Sequence, residues 1–169
     1  MQFLMDRLVD IENLGLSTWV RESPSLWAFP MFLFVHTVGM AMVAGGSAVI
    51  AFALLGMWPA SAPIRPLERL YPFIWGGFIA NMLTGISIFM KDASTYARNP
   101  DFFVKLVFVV AGVLVIRRIR HQVFGRADLD RGPLPPSARS LAWASLACWF
   151  LAIVFGRLIA YVGPVPGLF

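Results

Sequence analysis

Five polar side chains interrupt otherwise apolar runs of this chain: His36, Asn81, Thr84, Lys105 and Arg157. Inside a membrane-spanning run each needs a partner in the protein or a ligand, because water is absent. His36 lies in Phe34-Val35-His36-Thr37-Val38-Gly39-Met40-Ala41-Met42. A neutral imidazole has one donor and one acceptor nitrogen, and the acceptor can ligate a metal. A single histidine can hold haem iron from one side. Gly39 follows at i+3 on the same helical face and leaves room for a flat macrocycle. Lys105 and Arg157, with Arg98 in a neighbouring loop, are cations suited to two haem propionates. Imidazole with the thioethers of Met40 and Met82 instead suits Cu(I). A third reading needs no cofactor: Asn81 and Thr84 hydrogen-bond the histidine, and the two cations extend to lipid headgroups.

The elements that carry these residues are membrane helices. Of 169 residues, 59% are hydrophobic and 14% charged, with mean hydropathy +0.74. Soluble domains hold about 45–50% and 25%, so a soluble globular domain is excluded. Four runs are long enough to cross a bilayer, at about residues 27–57, 72–90, 102–119 and 141–162. They leave no room for a second domain. Pro59, Pro63 and Pro66 break the chain after the first run, Asn99-Pro100-Asp101 opens the third, and Gly132 to Ser137 punctuates before the fourth. Residues 1–24 lack a signal peptide's pattern. Leu4, Leu8, Ile11 and Trp19 share a rough face there, which predicts an amphipathic helix on the membrane surface. The one cysteine, Cys148, excludes an internal disulfide.

Charge orients the spans. The loop between the third and fourth carries Arg117, Arg118, Arg120, Arg126, Arg131 and Arg139 against Asp128 and Asp130. With Arg65, Arg69 and Glu68 of the first loop, one side holds eight basic and three acidic residues, the whole net charge of +5. The positive-inside rule makes that side cytoplasmic and both termini periplasmic. The high pI of 10.1 is then a membrane signature, and no nucleic-acid partner is implied. His121, among the same arginines, reads as a solvated interface residue. At 1.5 Å per residue, His36 and Asn81 lie roughly 13 Å below the outer surface, Thr84 about 9 Å, Arg157 about 8 Å and Lys105 about 6 Å. All five polar groups share the outer half, which predicts one outward-facing pocket.

Small residues predict helix seams: Ala144, Cys148, Ala152, Gly156 and Ala160 in the fourth span, Ala41, Ala44, Gly45 and Ala48 in the first, Gly77 and Gly85 in the second. They exceed what one four-helix packing uses, so a homo-oligomer, dimer or trimer, is expected. No catalytic motif or intramembrane carboxylate pair is present.

The stretches His36-Thr37-Val38-Gly39, Thr84-Gly85 and Tyr96-x-x-Asn99-Pro100-x-Phe102-x-x-Lys105 resemble a group of small bacterial four-helix inner-membrane proteins of unknown function, over about residues 25–120. The chain is also distantly similar to the HemJ-type protoporphyrinogen oxidases and the CopD-type copper-resistance membrane proteins. HemJ-type enzymes carry a first-span histidine and a Lys-Leu pair opening a later span, where this chain has His36 and Lys105-Leu106. That resemblance implies haem b at His36 and a functional part for both residues. The expectation is an all-α integral membrane protein of the bacterial inner membrane: one up-down four-helix bundle over residues 1–169 with an N-terminal interfacial helix. It binds haem b and has a redox or electron-transfer role with a periplasmic or membrane partner. Copper handling and a cofactor-free interaction subunit are the alternatives.

Overall fold

A computed structural model describes residues 2–59, 62–130 and 132–161. Arg131 of the basic loop, Val162 at the end of the fourth expected span, and the side chain of Leu4 lie outside the described residues. The described residues form helices and connecting turns, with no strand among them: α1 (Gln2–Glu12), α2 (Gly15–Glu22), α3 (Phe29–Phe52), α4 (Tyr71–Lys91), α5 (Ala93–Ala97), α6 (Pro100–Ile119) and α7 (Ser137–Leu158). Proline stands in the first turn of α3, α4 and α6, where its missing N–H costs nothing. Asn99 caps α6 by accepting from the Asp101 N–H at 2.9 Å. α3 runs on as a π-helical turn, Ala53–Met57, and Gly56 ends it at φ 90°, a conformation only glycine takes without strain.

Three segments are long and apolar enough to cross a membrane: Phe29–Met57, Arg65–Lys91 and Ser137–Leu158. This makes the chain a membrane protein. The 20-residue α6 matches them in length but carries Asp101, Lys105, Arg117 and Arg118. Large apolar side chains point outward from all four long helices, among them Phe34, Leu83, Val107 and Phe150, between 56% and 66% exposed.

The long helices pack in two pairs, α3 with α4 and α6 with α7, joined by a third seam between α3 and α7. Gly39 and Gly77 set the first seam. A Cβ on Gly39 would lie 2.7 Å from the Gly77 carbonyl oxygen, and one on Gly77 would lie 2.6 Å from the Met42 Cβ. In the second seam the Trp149 ring covers Gly112, and Phe108 stacks on Phe155 at 5.9 Å. Ala152 is buried within the chain, whereas Gly45 and Gly76 face open space. The buried apolar core, including Val43, Leu54, Tyr71, Ile74, Ile119 and Trp149, gathers toward the end that carries the arginine-rich loop. The other end is looser, and α4 meets α6 there chiefly through the stacked rings of Phe89 and Phe102, 5.3 Å apart.

The N-terminal segment is two helices where one was expected. The chain turns at Asn13-Leu14, where Asn13 and Gly15 favour a break over helix propagation. α2 packs on α4, with Arg21 Nη1 donating to the Lys91 carbonyl at 3.4 Å. α1 packs on α5, where the Glu12 carboxylate accepts from both the Ser94 N–H and the Ser94 hydroxyl at 2.7 Å.

Candidate functional site

His36 is placed by the α3–α4 seam. Its Nδ1 lies 3.0 Å from the Asn81 carbonyl oxygen and 3.2 Å from Thr84 Oγ1. A carbonyl oxygen only accepts, so Nδ1 carries the proton and donates. Thr84 spends its own proton on the Ala80 carbonyl at 2.7 Å, leaving its oxygen free to accept from the imidazole. Asn81 Nδ2 returns a bond to the His36 carbonyl at 2.7 Å. Nδ1 is therefore committed to α4, and Nε2 is left with its lone pair. Histidines that ligate metals are held in this way, through the N–H of the other ring nitrogen.

Lys105 stands across from His36, half-buried. Among the described residues it has neither a carboxylate nor a hydrogen-bond partner. Its side chain runs along Gly156, where an added Cβ would meet Lys105 carbons at 3.4 and 3.5 Å. A Cβ on Gly85 would stand 3.1 Å from His36 Cε1. The two glycines thus make room for the imidazole and the ammonium side chain.

Three clefts meet at this pair, and His36 and Lys105 wall all of them. One, about 260 Å³, opens at the looser end between Phe29, Tyr96, Phe102, Gly156 and Arg157. A second, about 490 Å³, lies between α3 and α7 and includes Met40, Gly156 and Arg157. The third, about 410 Å³, lies between α4 and α6 and includes Met82, Phe89 and Leu106. Phe89, Tyr96 and Phe102 form a ring cluster beside them, with centroids 5.3 to 6.2 Å apart. Burial pushes the Tyr96 phenol above its ordinary pKa.

The expected residues divide as follows. His36, Asn81 and Thr84 form one hydrogen-bonded unit. Lys105 and Arg157 share two clefts with His36. Arg98 is exposed at the end of α5 and walls none of the three clefts. Gly39 leaves no room for a macrocycle, because the α4 backbone at Gly77 and Asn81 fills the space beside it. Met40 and Met82 lie in different clefts, on different sides of the imidazole. Among the described residues no three His, Cys, Asp or Glu side chains converge. Sequence reasoning missed the walls supplied by Phe89, Phe102 and Tyr96, and took Gly85 and Gly156 for seam residues alone. Their signal was present: both glycines fall at the depth assigned to the polar groups.

No family model matches the chain, and neither a curated protein nor a solved structure does.

Proposed function

We propose that this chain is a haem b-binding protein of the bacterial inner membrane with an electron-transfer role. In this reading α3, α4, α6 and α7 cross the membrane as an up-down bundle, with both termini periplasmic and α1 and α2 on the outer surface. The outward apolar side chains on all four helices and the basic residues after α6 support it. The observation that carries the haem assignment is the committed Nδ1–H of His36, which leaves the Nε2 lone pair beside a lysine with no partner among the described residues. Hydrogen bonding to α4 satisfies one ring nitrogen only, so the cofactor-free reading leaves the other unexplained.

The residues suit the group. His36 would ligate the iron, Lys105 and Arg157 would hold the propionates, and the two clefts that Arg157 also walls would take the ring. The charge-assisted bond from the half-buried Lys105 would contribute about 1.5–3 kcal/mol where shielded from water, and that from the exposed Arg157 less. Bound haem would supply one-electron redox chemistry. Copper is the weaker reading, since Met40 and Met82 approach His36 from separate clefts and cannot readily close around one Nε2. Gly76, open to the outside, supports self-association as a dimer or trimer.

An absorption spectrum of the detergent-purified protein tests the assignment. The wild type is expected to show a Soret band, and His36→Ala to lose it. Full haem occupancy in His36→Ala refutes the ligand. A colourless wild type that carries copper moves the metal to the second reading.

A further inference from the structure

A square of four helices has four seams, and three of these are joined by direct helix contact: α3–α4, α6–α7 and, alongside its own cleft, α3–α7. The fourth, between α4 and α6, is pinned at one end by Phe89 on Phe102 and stands open below as the 410 Å³ cleft. Its mouth is flanked by Met82, Ile86 and Leu106, exposed to 44%, 50% and 42%. These positions lie mid-helix among the outward apolar side chains, so the cleft opens sideways toward lipid. Its wall is apolar except at the back, where His36, Asn81 and Lys105 stand. Phe78, Phe89 and Phe102 supply flat aromatic surfaces along it.

We infer that this open seam binds the head of a membrane quinone: a planar, uncharged ring with carbonyl acceptors and an apolar tail. The shape and chemistry narrow the ligand. The entrance selects molecules dissolved in the bilayer, and the volume lies within the 300–1,000 Å³ or so of small-molecule sites. The aromatic walls select a flat ring. The lysine ammonium at the back donates to a carbonyl oxygen, while the tail leaves between α4 and α6 into lipid. The inference rests on the haem reading in one respect: Lys105 already paired with a propionate favours a neutral acceptor over a second carboxylate. It makes the redox partner a lipid-soluble carrier that reaches the site from the side. A soluble partner would have to approach from the periplasm.

The test is photolabelling of the full chain in nanodiscs with an azido-substituted short-chain quinone, followed by peptide mapping. Label is expected within residues 78–89 and 102–109, to be displaced by decylubiquinone, and to fall about tenfold, some 1.4 kcal/mol, in Leu106→Trp, which fills the slot. Val109→Phe, which narrows the slot from deeper in α6, should act alike, so a folding failure of one variant does not decide the matter. Label elsewhere, label unchanged in both variants, or displacement by oleate but not by decylubiquinone overturns the proposal. The Soret band of the same wild-type sample reports the haem reading separately. Slot label without a Soret band upholds the quinone site and removes the haem, whereas a Soret band without slot label does the reverse.

Discussion

Gly39→Ala adds a single methyl group at the point where α3 and α4 come closest. The new Cβ would lie 2.7 Å from the Gly77 carbonyl oxygen and 2.9 Å from the Asn81 nitrogen. Both are backbone atoms of a continuous helix, so no side-chain rotation relieves the clash. Ordinary contact begins at 3.4 Å, and the helices must part by about 0.7 Å to reach it. The 3.0 Å bond from His36 Nδ1 to the Asn81 carbonyl crosses the same seam about one turn along α4 from Gly77. A parting of that size stretches it to about 3.7 Å, beyond hydrogen-bond range. Two effects follow. Overpacking costs about 1–3 kcal/mol of stability. Loss of the bond that orients the imidazole lowers metal affinity about 10- to 100-fold, as outer-shell losses do. Gly45→Ala is the control on the same helix, since nothing lies within 4 Å of its added Cβ. Thermal unfolding in detergent reads the first effect, and haem titration monitored by the Soret band reads the second. If Gly39→Ala melts and binds haem like Gly45→Ala, the seam does not orient His36 and the reasoning fails.

Lys105→Met should weaken haem retention more than Arg157→Ala, because Lys105 is half-buried and Arg157 exposed. The arginine's contribution is screened to about 1 kcal/mol or less, and off-rates of haem to apomyoglobin measure the order; the reverse order refutes the assignment. Glu12→Ala removes the acceptor shared by the Ser94 N–H and hydroxyl. A loss of about 1 kcal/mol there should raise protease cutting at Asn13-Leu14 roughly fivefold, and an unchanged cutting rate would show that α1 is held by other contacts. Reporter fusions after Ala127 and after Phe169 should report opposite sides of the membrane, with Ala127 cytoplasmic; a cytoplasmic signal from Phe169 overturns the up-down orientation.

The long helices could be read from the sequence because lipid imposes a plain pattern. Expected runs at residues 72–90 and 102–119 correspond to Tyr71–Lys91 and Pro100–Ile119, with Pro72 and Pro100 marking the starts. The depth of polar groups carried further. His36 lies on α3 and Asn81 and Thr84 on α4, yet similar distance from one surface placed them together, and they are hydrogen-bonded. Which side of His36 each neighbour occupies was not legible. Depth fixes a coordinate along the helix axis and leaves rotation about it free, so Met40 and Met82 could be grouped as copper ligands beside His36 although they lie in separate clefts. Gly39 illustrates the same gap. A glycine beside a histidine leaves space, but only the neighbouring backbone decides what fills it, and here α4 does. The open α4–α6 seam depends on contacts that fail to form, for which no residue pattern gives notice.

The anchoring of α1 to α5 bears on the order in which the chain assembles. Glu12 finds its partners 82 residues later, at Ser94. When α1 leaves the ribosome, neither α5 nor the end of α4 that receives α2 has been made. At synthesis rates of about 5–20 residues per second, roughly 4–16 s pass before that partner exists. Through this interval Met5, Leu8 and Ile11 must rest on some other surface, and the membrane at hand is the available one. The N-terminal helices are therefore made before their partners and can dock only once α4 and α5 exist, at a point where α6 and α7 are still to be made.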